Sequence, residues 1–209
     1  MSTHARHERA LLADLLEQAG PDEPTLCEGW TTRDLAAHLV VREGRVDAAG
    51  GLVLKSLAAR LARVQHEYTM RPYEELVRVF RTGPPKGLFR IPGADEAANT
   101  VEFFIHAEDV RRAKGGWEPR LLDAGFSEAL WARLARTARM MARQAPVGLV
   151  FRLPDGRTVV AHKGAPVATV TGEPGELVMF ASGRQAKANV VVEGDADVVA
   201  RIRDAKLGI

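Results

Sequence analysis

The chain has 209 residues, 46% of them hydrophobic and 27% charged, enough to bury a core in one large domain or two modest ones. Its 29 Lys+Arg against 27 Asp+Glu leave a net charge of +2, which speaks against the concentrated positive face of a nucleic-acid binder. A single cysteine, Cys27, excludes an internal disulfide framework and a multi-cysteine zinc site, and suits a reducing compartment. The densest arginine run, Arg133, Arg136, Arg139 and Arg143, follows helical spacing and reads as a solvated face. The opening segment Met1 to His7 lacks the apolar core of a signal peptide, and no run of about 18 apolar residues offers a membrane span. The expected compartment is the cytoplasm.

The predicted first helix runs from about His4 to Ala19, with Leu11, Leu12, Leu15 and Leu16 as its stripe and Gly20-Pro21 as its stop. After a loop to Trp30, Thr31 and Asp34 resemble a capping box with Asp in place of the usual Glu. The helix they open points Leu35, Leu39 and Val46 to the core and ends near Ala49-Gly50-Gly51. Two further helical stretches cover about Leu52 to Tyr68 and Tyr73 to Arg81. Prolines and glycines from Gly83 to Gly87 and Ile91 to Gly93 predict a long loop. Another helix then runs from Asp95 or Asn99 to Lys114. The last of the bundle, Leu121 to Gln144, carries Phe126, Leu130, Leu134 and Met141 on one side.

Near Pro146 the apolar period changes from helical spacing to short β-branched runs. Val147–Leu153, Thr158–His162, Val167–Thr171 and Asn189–Val192 read as strands, with Pro154-Asp155-Gly156 as a turn. Glu173 to Ser182 reads as a helix, and Asp195 caps a final one into Arg203. The fold class expected is therefore α+β, with a helical bundle over 1–145 and a small α+β domain over 146–209.

Of the six histidines, only His38 and His106 sit inside strong helical patterns near other candidate ligands. Glu102 and His106 are four apart, so both lie on one helix face and could share a divalent cation. A lone match of this kind decides nothing, and if Asn99 is the N-cap, Glu102 merely closes a capping box. His38 lies between alanines and leucines on a core-facing helix. It is either a buried imidazole bonded to a backbone carbonyl or a third ligand. A His2Glu set would leave coordination positions open, the pattern of a catalytic site. His4 and His7 lie on a terminus expected to fray, His66 reads as a surface cap, and His162 closes a strand outside the site. Cys27 reads as a small apolar residue. Arg42 and Arg45 follow His38 near its face and could receive an anionic substrate. Asp34 is the one acid placed as a general base, with Glu108 and Asp109 expected to point elsewhere.

The run from Cys27-Glu28-Gly29-Trp30 through Asp34-Leu35-Ala36-Ala37-His38-Leu39 resembles a motif of the DinB-like, mycothiol-dependent maleylpyruvate isomerase superfamily. Asn99 to Ala113, with Glu102, His106 and the continuation Asp109-Val110-Arg111-Arg112-Ala113, is similar to its second metal motif. The likeness covers nearly the whole chain, including Gly172 to Leu177 and Ser182-Gly183-Arg184, and is strongest to an actinobacterial branch named only as metal-binding. It implies a four-helix bundle holding a divalent ion, usually Zn2+, through His38, Glu102 and His106, with a sterol-carrier-like C-terminal domain. Ni2+, Fe2+ and Mn2+ suit the same ligands.

The resemblance further implies mycothiol as cosubstrate, a small thiol whose metal-bound thiolate attacks a small electrophilic substrate as an S-transferase or isomerase. By the same likeness, Arg184 is the candidate for binding an acidic substrate. A metal-dependent hydrolase and a non-catalytic metal- or ligand-binding protein stay open beside it. The small domain could serve as a lid, a homodimer surface or a substrate wall. No nucleic-acid or membrane partner is expected.

Overall fold

The computed structural model describes residues 4–45, 58–84 and 93–208, which divide into two compact units, Met1–Trp117 and Glu118–Ile209. The first unit is helical: α1 (His4–Ala19), α2 (Thr32–Gly44), α3 (Ala58–Thr69), α4 (Tyr73–Thr82) and α5 (Ala94–Arg111). The reading of α1 from its leucine stripe and Gly-Pro stop matches the observed bounds. Helix α1 packs on α5 and α4, and α2 packs on α3 and α4. Leu12, Leu16, Leu35, Leu39, Leu76, Phe80 and Phe103 bury their side chains in the shared core. Phe80 and Phe103 meet edge to face at 5.2 Å. The hydroxyl of Tyr73 donates to the carbonyl of Leu16 at 2.7 Å, so this aromatic reaches the core with its polar atom satisfied.

The bundle interior also holds charge. Arg9 donates to both oxygens of Glu43, at 2.5 and 2.6 Å, and to the carbonyl of Phe80 at 3.0 Å. Asn99 donates to Glu43 at 2.9 Å and to Asp95 at 2.7 Å. Pattern reading did not find this network, because each member sits at a position that could equally face water.

The predicted capping box at the start of α2 is present. The carboxylate of Asp34 accepts from the backbone N–H and the hydroxyl of Thr31, both at 2.9 Å. Replacing Asp34 with Ala removes an acceptor from the first turn and is expected to cost about 1 kcal/mol of stability. Urea unfolding at neutral pH checks this. Helix α2 ends at Gly44 with Arg45 as its C-cap, short of the end expected near Ala49-Gly50-Gly51. Val46 to Gly51, the predicted start of the third helix before Ala58, and the loop residues Pro85 to Pro92 lie outside the described residues.

The second unit contains α6 (Ala124–Met141), β1 (Gly148–Arg152), β2 (Thr158–His162), β3 (Val167–Thr171), α7 (Pro174–Ala181), β4 (Val191–Glu193) and α8 (Ala196–Arg203). The sheet order is β2-β1-β3-β4, with β1 and β3 parallel and both outer pairs antiparallel. Leu149 pairs with Ala168 and Phe151 with Val170, and the period of two puts all four side chains in the interior. The predicted turn closes the first hairpin, with Gly156 at φ 90 donating to the carbonyl of Leu153 at 3.0 Å.

The packing thus draws the boundary at Trp117, whereas the change of periodicity suggested residue 145. Helix α6 packs on β2 and α7, with Phe126, Leu130, Leu134 and Met141 buried. An amphipathic stripe announces that a helix face is covered, but not by which core. Arg136, Arg139 and Arg143 are exposed and Arg133 half-buried, as the solvated-face reading expected. Among the described residues no helix is long and apolar enough to cross a membrane.

Candidate metal centre

Three side chains of the first unit converge. Helix α2 supplies His38, and α5 supplies Glu102 and His106 on one face, a turn apart. Oxygen Oε1 of Glu102 lies 3.5 Å from Nε2 of His38 and 3.3 Å from Nε2 of His106. The imidazoles meet edge to face, ring centres 5.4 Å apart, and Trp30 lies against His38 at 5.1 Å. One nitrogen of each histidine and one oxygen of Glu102 all lie within 4.8 Å of one another, the spacing that a single divalent ion requires. Both histidines are buried and Glu102 is half-buried. Since α5 begins at Ala94 behind an N-cap at Gly93, Glu102 lies beyond the first turn and closes no capping box.

The electrostatics follow from this packing. Burial pushes the His38 imidazole below its ordinary value, although Glu102 pulls the other way. Burial works against charge on Glu102 as well, but hydrogen bonds from His106 and His38 and the charge of Arg42 hold its carboxyl well below the usual range. For His106, burial is outweighed by hydrogen bonds to Asp109, Cys27 and Glu102, which raise it well above an ordinary histidine.

On its outer side, Nδ1 of His106 lies 3.0 Å from Oδ2 of Asp109. The thiol of Cys27 donates to the same oxygen at 3.2 Å and sits 3.9 Å from Nδ1 of His106. Cys27, His106 and Asp109 thus form a second group of potential ligand atoms sharing His106 with the first.

Beside His38 a pocket of about 390 Å³ opens between α2 and α3. Trp30, Asp34, His38, Leu61, Gln65 and His66 line it.

Two solved structures of mycothiol-dependent maleylpyruvate isomerase, one of them a histidine-to-alanine mutant, match this chain with TM-scores of 0.63 and 0.64. Each is 18% identical and is matched over 90% of its length by 91% of this chain. The chain has the mycothiol-dependent maleylpyruvate isomerase fold. No family profile and no curated protein matches the sequence.

Arg42 does not point free toward a substrate. Its Nε lies 3.1 Å from Oε1 of Glu102, Nη1 donates to Asn99 and Nη2 donates to the carbonyl of Ala98 at 3.1 Å. Asp34 lines the pocket, yet its carboxylate is engaged by Thr31 at the helix cap. Arg184 lies in the second unit, where Nη1 donates to the carbonyl of Ser182 at 2.5 Å. His66, read as a surface cap, contributes to the pocket wall.

Two expectations are corrected. Asp109 does not point away from the site but touches His106, and Cys27 is a half-buried hydrogen-bond donor rather than a core filler. The spacing of three between His106 and Asp109 was the available signal for the first. No local pattern joins Cys27 to residues 79 and 82 positions further on.

Proposed function

We propose that His38, Glu102 and His106 hold one divalent metal ion, and that the protein is a thiol-dependent isomerase or S-transferase whose cosubstrate is a small thiol of the mycothiol class. The observation that carries this reading is the convergence of two buried imidazole nitrogens on one carboxylate oxygen beside an open pocket. The donor set fits an ion. Once His106 gives up its proton to the incoming ion, the set is neutral at two positions and anionic at the third, and three protein ligands leave room for an exogenous one. Zinc, nickel, iron and manganese all accept such ligands, so elemental analysis decides the identity.

When bound, the ion supplies the positive charge that favours a thiolate, the reactive form of sulfur, over the thiol. The chain's residues provide the setting. Burial favours the neutral form of His38, and the two histidines together with the charge of Arg42 favour the anionic form of Glu102. Trp30 and Leu61 give the pocket apolar wall, while Gln65 and His66 offer polar contacts for the rest of a hydrophilic cosubstrate. The reaction class is attack of sulfur on an electron-poor double bond. Its expulsion after rotation gives isomerisation, and its retention gives transfer. The engagement of Asp34 by Thr31 tells against the hydrolase alternative, which needs a free general base beside the ion.

The test is metal content after exhaustive desalting, followed by titration of the loaded protein with mycothiol. About one equivalent in the wild type and near-complete loss in His38→Ala and Glu102→Ala is the expected result. Mycothiol is then expected to add a sulfur-to-metal charge-transfer band to the cobalt-substituted wild type. Metal content unchanged in both variants defeats the site, and no binding of any bacterial thiol defeats the enzymatic reading.

A further inference from the structure

We infer that Asp109 is a positioning residue for the metal centre. Its carboxylate fixes the His106 ring with Nδ1 protonated and Nε2 turned toward Glu102 and His38, and Cys27 locks that carboxylate in place. This inference rests on the metal-binding reading above and adds to it residues on the far side of the ligand ring.

Asp109 is fully buried, and a buried carboxylate is costly unless its oxygens find donors. Oxygen Oδ2 receives Nδ1–H of His106 at 3.0 Å and the Cys27 thiol at 3.2 Å. An ion binds only the neutral imidazole, which carries one N–H. A carboxylate can only accept, so it draws that hydrogen to Nδ1 and leaves the lone pair on Nε2. Nε2 is the atom that faces Glu102 at 3.3 Å. The same aspartate anchors the loop before α2, because its backbone carbonyl accepts from the N–H of Leu26 at 3.1 Å. That loop leads into Trp30, which lies against His38, and through the Thr31 cap into α2. One residue of α5 therefore orients its own helix's ligand and tethers the segment that delivers the other histidine. Carboxylates placed behind a ligating histidine in this way typically sustain metal affinity by 10- to 100-fold.

The experiment uses the full chain. Zinc affinity, measured by competition with a chelator, is expected to fall about 10- to 100-fold in Asp109→Asn, which keeps the side chain's shape. Cys27→Ser, which retains a donor, is expected to stay close to the wild type. In the zinc-loaded wild type, long-range proton–nitrogen correlation is expected to show His106 protonated at Nδ1. This measurement needs no variant and stands even if Asp109→Asn fails to fold. The opposite tautomer, or unchanged zinc affinity in folded Asp109→Asn, overturns the inference alone, provided His38→Ala still loses the ion. Two ions per chain, or a sulfur-to-cobalt band in the thiol-free wild type that Cys27→Ala abolishes, also overturns it. Cys27 and Asp109 would then be ligands of a second ion bridged by His106. A wild type that takes up no ion after reloading overturns the metal reading and this inference with it.

Discussion

Replacing Glu43 with Ala is expected to lower the unfolding free energy by about 3–5 kcal/mol, a loss large enough to unfold a marginal domain at room temperature. The reason is the partner left behind. Arg9 is buried, with its guanidinium carbon 4.7 Å from the ring centre of Phe103 and 5.2 Å from that of Phe80. Two of its strongest contacts go to Glu43; the carbonyl of Phe80 and Asp95, the latter at 3.1 Å, cannot replace a bidentate carboxylate. Asn99 loses an acceptor in the same step. A buried cation without its anion costs far more than the pair contributes when intact. The double replacement Arg9→Met with Glu43→Leu removes both charges and is therefore expected to recover most of the loss. Denaturant unfolding of the wild type, the single variant and the double variant checks both statements. Equal destabilisation in the single and double variants would show that packing, not the orphaned charge, sets the cost.

Metal affinity is expected to rise about tenfold per pH unit around neutrality, with about one proton released for each ion bound. The sign follows from the groups that face one another. His106, between Glu102 on one side and Asp109 and Cys27 on the other, is raised well above an ordinary histidine and carries a proton at neutral pH in the metal-free chain. An incoming ion must displace it, so raising the pH favours binding until His106 has lost its proton unaided, after which the curve flattens. His38, facing Glu102, His106 and Arg42, is lowered and has no proton to give up until the solution becomes more acidic. Below that point a second proton competes and the dependence steepens. Glu102 is held so low that it contributes only at stronger acidity. Calorimetry in buffers of different ionisation enthalpy counts the protons directly. A count near zero at pH 7 would show that His106 is neutral before the ion arrives.

Much of the fold was written in local periodicity. The stripe of α1, the Thr31–Asp34 cap and the alternation along β1 and β3 each follow from which residues recur at 3.6 or 2 positions, and the observed elements sit there. The spacing of Glu102 and His106 likewise had to put both on one helix face. What local pattern could not supply was the company that each face keeps. The helix containing Phe126 and Leu130 was visible as amphipathic, yet only packing grouped it with the sheet.

The site divides in the same way. The chemistry of the candidate ligands was legible in the sequence, because a histidine among alanines on a core-facing helix and a Glu-His pair four apart are properties of composition and helical repeat. The convergence of these three from α2 and α5, the contact of Arg42 with Glu102, and the place of Asp109 and Cys27 behind His106 come from packing alone. The difference is one of range. Helical and strand periods act over a few residues, whereas a hydrogen bond between Cys27 and Asp109 spans 82 positions and exists only once a buried core has fixed both backbones.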